Sequence, residues 1–163
     1  MNLNADTFPK SVQPLLKMFR VDFEPPRQPS KGEVIFASVV AIVGSLVADW
    51  ILVQIGVRVF PSTKGYQHFQ FSDYSKLTVI GVVIACIGWP IVTRISSTPR
   101  WLFYRMAVAV TVVLLAPDVF IWISGQPTRA VFVLIVMHLA IAVVTYYSLV
   151  TLAPTRRFRS HRR

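Results

Sequence analysis

Apolar residues fall into four blocks, at 34–55, 77–95, 101–123 and 130–152, with polar, basic and proline-rich stretches around them. Each block holds roughly 19 to 23 residues, and a helix rising about 1.5 Å per residue needs about 20 to cross a hydrocarbon core about 30 Å thick. The pattern predicts an all-α fold, an antiparallel four-helix transmembrane bundle occupying 33–154. A tail at 1–32 precedes it and a basic tail at 155–163 follows.

Several helix ends are written locally. Ser30 and Glu33 have capping-box spacing ahead of the first block, and Ser72 and Asp73 are candidate caps upstream of the second. Thr98 stands as N-cap of the third block with Pro99 at its first helical position, and Pro154 stops the fourth. Gly125, Gln126, Pro127 and Thr128 make a turn so short that the third and fourth helices must be antiparallel neighbours. Pro90 and Pro117 fall inside the second and third blocks and are expected to kink them.

The tail and the first loop carry patterns of their own. Val12, Leu15, Leu16 and Phe19 recur at helical spacing, which predicts a short amphipathic helix over about 11–20 on the membrane surface. The proline-rich arm at 23–31, with Pro25 and Pro26, should be extended and free to lie along a partner or act as a tether. Tyr66, His68, Phe69, Phe71 and Tyr74 crowd the first loop, as either a docking patch or a cap over the bundle. Phe19, Pro25, Pro26, Tyr66, Phe69 and Phe71 are the expected partner contacts.

Composition agrees with a bilayer as solvent: 54% of residues are hydrophobic and the mean hydropathy is +0.57. A formal net charge of +10 would point to nucleic acid in a soluble chain, but here the charges sit at the ends of apolar blocks. They read as topology signals, and no nucleic-acid partner is expected. Thirteen of the seventeen Lys and Arg residues lie in the two tails and the second loop, against Arg58, Lys64, Lys76 and Arg129 on the opposite side. The positive-inside rule therefore puts both termini in the cytoplasm. The first apolar run begins only at Val34, so the first span is expected to double as the targeting signal.

Three ionisable residues interrupt the apolar blocks: Asp49, Asp118 and His138. Counting along the helices puts the two aspartates roughly 21 to 23 Å, and the histidine roughly 18 Å, from the cytoplasmic surface, which makes one layer. An aspartate near the centre of a span costs about 2.5 to 3.5 kcal/mol to insert, so these groups should face inward and find partners. His138 is the ionisable partner at that level, and Gln54 is a further hydrogen-bonding candidate. The layer reads as interhelical hydrogen-bond glue, as a proton or small-solute pathway, or as a ligand or lipid-headgroup site. One histidine and two aspartates lack a fourth protein ligand, so no metal is expected. A single membrane-embedded histidine cannot form the usual bis-histidine haem site, and no cofactor is expected. The lone Cys86 excludes an internal disulfide and reads as packing. Ala37, Ala41, Gly44, Ser45 and Ala48 form a narrow small-residue face on the first helix, and Gly81 and Ala85 repeat the spacing on the second.

Leu115-Ala116-Pro117-Asp118 in the third span, Val136-Met137-His138-Leu139-Ala140-Ile141-Ala142-Val143 in the fourth and the small-residue first helix resemble a family of four-helix membrane proteins. That family is chiefly actinobacterial and catalogued only as a domain of unknown function. The resemblance implies a four-helix fold in a bacterial plasma membrane and no activity. Without a nucleophile or metal set, the chain is not expected to be an enzyme. Its tail, arm and loop predict a non-enzymatic accessory or scaffold subunit, docking onto a larger membrane assembly of the respiratory or transport kind. The alternative is a small oligomeric proton or solute carrier centred on Asp49, Asp118 and His138.

Overall fold

The computed structural model describes residues 8–23 and 26–156, and the regular structure among them is helical. Five α-helices follow in order: α1 (Gln13–Met18), α2 (Lys31–Val59), α3 (Phe71–Ile95), α4 (Pro99–Ile123) and α5 (Thr128–Leu152). The last four are long and apolar enough to cross a membrane, so the chain is a multi-pass membrane protein. Both described chain ends and the α3–α4 connection lie at one end of the bundle, here the terminal end. The α2–α3 loop and the α4–α5 turn form the loop end.

The expected capping box opens α2. Glu33 N–H donates to Ser30 Oγ at 3.2 Å and Ser30 N–H donates to Glu33 Oε2 at 2.7 Å, which satisfies two orphan donors of the first turn. Pro99 is at the first position of α4, but Thr98 makes no side-chain cap bond there. In α3 the cap expectation is corrected. The helix starts at Phe71, so Ser72 and Asp73 are inside its first turn and Gln70 holds the cap position. Asp73 instead favours the positive end of the helix and meets His68 Nδ1 at 2.7 Å. The first turn of α3 therefore lies ahead of the apolar block, where hydrophobic periodicity is silent. Both α3 and α4 run unbroken through Pro90 and Pro117, so each proline deletes one backbone bond without ending its helix.

A Schellman motif closes α4: Gly125 N–H donates to the Trp122 carbonyl (3.1 Å) and Gln126 N–H to that of Ile121 (3.3 Å). Gly125 takes the left-handed conformation this requires, with φ +87°. Trp122 Nε1 then donates to Thr128 Oγ1 at 3.1 Å, tying the two helices across their turn.

The small-residue face of α2 is a packing seam. Ala37, Ala41, Ser45, Asp49 and Val53 are buried at every fourth position, with Gly56 completing the row. Its principal neighbour is α5, which α2 contacts more extensively than any other helix. Contact is tightest at the loop end, where a Cβ on Gly56 would stand 2.8 Å from Val133 Cγ2; one on Gly44 would stand 3.1 Å from Val144 Cγ1. Two apolar clusters fill the bundle. Trp89, Leu149, Val82, Leu102 and Phe103 belong to the one at the terminal end, and Val53, Phe69, Tyr74, Val133 and Met137 to the one at the loop end.

The described residues of the proline-rich arm bond to their own bundle. Phe23 N–H donates to the Ile95 carbonyl (3.0 Å), and Arg27 and Arg156 exchange backbone bonds of 2.9 and 3.2 Å. Gln28 Nε2 donates to the Thr93 carbonyl (2.8 Å), and Thr93 Oγ1 donates back to Gln28 Oε1 (2.7 Å). Pro26 is half-buried in this contact, whereas Pro25 lies outside the described residues.

Val133 is β-branched and stiff, so it cannot easily yield to a methyl group at position 56. Gly56→Ala should destabilise the detergent-solubilised protein by about 1 to 3 kcal/mol, despite the better helix propensity of alanine. Adding Val133→Ala should relieve part of the clash. Gly81→Ala, where a Cβ meets nothing within 4 Å, should be neutral or stabilising. Thermal unfolding followed by circular dichroism separates these outcomes.

Candidate functional site

Each of the three ionisable residues reaches the bundle interior from a different helix. Asp49, on the seam of α2, is fully buried. Its Oδ2 accepts a 2.6 Å hydrogen bond from Thr78 Oγ1 on α3, whereas its Oδ1, equally buried, has no protein hydrogen-bond partner. Asp118 on α4 and His138 on α5 form an ion pair, Oδ2 to Nδ1, at 2.9 Å. The same Nδ1 lies 3.1 Å from the Leu134 carbonyl, one turn back on α5. A carbonyl only accepts, so Nδ1 carries the proton and directs it along the helix. The aspartate oxygen is close to that nitrogen without being aligned on its N–H, so the contact is an ion pair when His138 is protonated.

From Tyr104 to Ile123, Asp118 is the single buried residue of α4. Everything else on that stretch faces outward or is half-exposed. Asp118 is therefore the one buried side chain through which α4 engages the bundle beyond Phe103. His138 is the less enclosed partner, its side chain 30% exposed against 5% for Asp118.

The aromatic loop forms a cap over this layer. Thr63 is buried and bonds the Phe60 carbonyl at 2.8 Å, and Gly65 turns the chain with φ +84° so that Tyr66 points inward. Tyr66 meets Phe69 and His68 edge-on, each at 5.3 Å between centroids. Its hydroxyl is buried without a protein partner. Burial pushes the Tyr66 phenol up from its ordinary pKa, and the charge of Asp118 pushes the same way. Of the expected contact residues in this loop, Tyr66 is half-buried, Phe69 buried and Phe71 exposed.

The structure thus brings Asp118 and His138 together and gives Asp49 a different first partner. Thr78 is a member that sequence reasoning missed, and Tyr66, expected in a cap or docking patch, was not expected beside the acids. Gln54 is exposed and does not join them. A threonine in an apolar block carries little signal alone, but Thr78 sits near the loop end of α3, where an antiparallel neighbour of Asp49 is required.

These features define a four-helix, multi-pass membrane protein with a buried acid–histidine centre under an aromatic cap. The chain belongs to the family of unknown function DUF6069, which it matches over residues 25–155. That stretch holds all of the centre and leaves α1 outside it. Among curated proteins and solved structures, none matches the chain.

Removing one partner of a buried ion pair leaves the other charge uncompensated, at a cost of about 3 to 5 kcal/mol. His138→Leu should destabilise the bundle on that scale, and adding Asp118→Asn should recover part of the loss. A double-mutant cycle read by denaturation in mild detergent should give a coupling of about 0.5 to 3 kcal/mol. Strict additivity would mean that the two side chains do not interact.

Proposed function

We propose that this protein is a non-enzymatic carrier that takes up and passes protons through the Asp49–Asp118–His138 layer. The observation that supports it is Asp49 itself. A hydrogen-bonding tie to Thr78 needs only an amide or hydroxyl at that position. A buried carboxyl with one oxygen that no protein group satisfies costs stability that glue alone does not explain. Asp118 and His138 add a second acid and a base in the same interior, where a proton gained or lost changes the force between helices. Apolar clusters close the layer on both sides, that of Phe69, Tyr74 and Val133 with Tyr66 at the loop end and that of Trp89 and Phe103 at the terminal end. Passage of a proton across the bundle therefore requires each cluster to open in turn.

The basic residues support a placement with both termini cytoplasmic, and the family resemblance supports a bacterial plasma membrane. In a Cys86→Ala background, a cysteine at Ser62 should react with an impermeant reagent on intact cells. Reaction only after permeabilisation would reverse the orientation.

In liposomes carrying an internal pH dye and a potassium-driven potential, the wild-type protein should conduct protons above the empty-vesicle rate. Asp118→Asn and Asp49→Asn should each lower that flux about tenfold or more while retaining the folded state. Flux equal to that of empty vesicles, or untouched by either substitution, contradicts the carrier. The second reading is an accessory subunit of a larger membrane complex, supported by exposed Phe19 and Phe71 and by the outward-facing length of α4. Inert vesicles together with a stoichiometric partner retained in gentle detergent would favour it.

A further inference from the structure

Residues 8–23 precede the family-matched stretch, and nothing in the polar layer uses them. They are nevertheless fastened to the α3–α4 corner. Ser96 Oγ donates to the Arg20 carbonyl at 2.8 Å, Ser97 N–H donates to Asp22 Oδ1 at 2.8 Å, and the Ser97 hydroxyl donates to the other oxygen of Asp22. Helix α1 ends in a Schellman motif of its own, with Arg20 N–H bonded to the Lys17 carbonyl (3.1 Å) and Val21 N–H to that of Leu16 (2.9 Å). Position 20 of that motif is left-handed, φ +51°, where glycine is the easy choice and arginine is strained.

The reason for an arginine there is its head group. The guanidinium of Arg20 lies 4.8 Å from the centre of the Trp101 ring, and that of Arg105 lies 4.1 Å from it. Trp101 sits in the first turn of α4, at the level where an apolar span meets headgroups, so the two arginines are held at the membrane surface. Val21 packs into the terminal-end cluster. By contrast Val12, Leu15 and Phe19, which share one face of the helical segment, stay exposed at 37%, 54% and 36%. Lys10 and Lys17 are exposed on the polar side. An apolar stripe fixed beside the start of a membrane span and flanked by cations is complementary to an anionic bilayer surface.

We infer that residues 8–23, built around α1, form a surface segment for anionic lipid: Val12, Leu15 and Phe19 enter the leaflet on the terminal side, and Lys17, Arg20 and Arg105 take lipid phosphates. Each such cation contributes about 1 kcal/mol near an anionic surface, and the attraction is screened over about 10 Å in ordinary salt. The bonds from Ser96 and Ser97 orient the segment before lipid arrives, so less ordering has to accompany binding.

The test uses the full chain in nanodiscs, with Cys86→Ala and an environment-sensitive nitrobenzoxadiazole dye on Leu15→Cys. Iodide should quench the dye about threefold less in phosphatidylglycerol-containing discs than in phosphatidylcholine alone. About 0.5 M potassium chloride, against a matched iodide series, should erase the difference. Lys17→Gln with Arg20→Gln should erase it too, while the unfolding midpoint shows that the bundle is intact. A second reporter at Val12→Cys guards against local disturbance at position 15. Equal quenching in both discs overturns the assignment. So does protection that is independent of lipid charge and salt, because the stripe would then be packed on protein.

Discussion

A carboxylate and an imidazole 2.9 Å apart, inside an apolar bundle, fasten α4 to α5 beyond the first turns of the hairpin's terminal end. Fully buried apolar side chains of α4 contribute nothing to it there. The stretch of α4 past Phe103 turns valines and leucines outward and buries Asp118 alone. In a bilayer the lipid tails solvate such side chains as well as another helix would, so association rests on close packing and on polar pairs. The α2–α5 seam uses the first means, with alanine, serine and glycine at every fourth position. The α4–α5 hairpin uses the second.

That division gives the polar layer consequences beyond its own energy. Asp49 lies in the row of α2 that Ala41, Ser45 and Gly56 also occupy, and its Thr78 bond ties that helix to α3. Asp118 is in the α4–α5 hairpin, where it is the one buried side chain of α4 past Phe103. A change of protonation at Asp118 therefore acts on the helix with the least else to hold it, beneath a cap whose Tyr66 lies within reach of the same charge.

Much of this was legible in the chain. Block length and apolarity located the four spans, the Ser30–Glu33 spacing located the start of α2, and a helical rise counted from the turn put Asp118 and His138 at one level. The reading stopped where contacts depend on groups without periodicity. The six residues before Leu77 extend α3, yet their mixed polarity conceals the helix. Thr78 and Tyr66 carry hydroxyls that only the packed interior makes scarce. Residues 20–28 find their partners at Thr93, Ile95, Ser96 and Ser97, which are backbone atoms and small hydroxyls on a corner. A pattern of apolar positions has no means of pointing to them.

The central claim is that Asp118 and His138 hold α4 to α5 within the membrane. Solid-state NMR on protein labelled with carbon-13 aspartate and nitrogen-15 histidine, in lipid bilayers, reads that contact without unfolding anything. The account predicts through-space transfer between the Asp118 carboxyl carbon and His138 Nδ1, absent from Asp118→Asn protein. A His138 ring that shows no transfer to Asp118, in bilayers where the four spans remain helical, would contradict it.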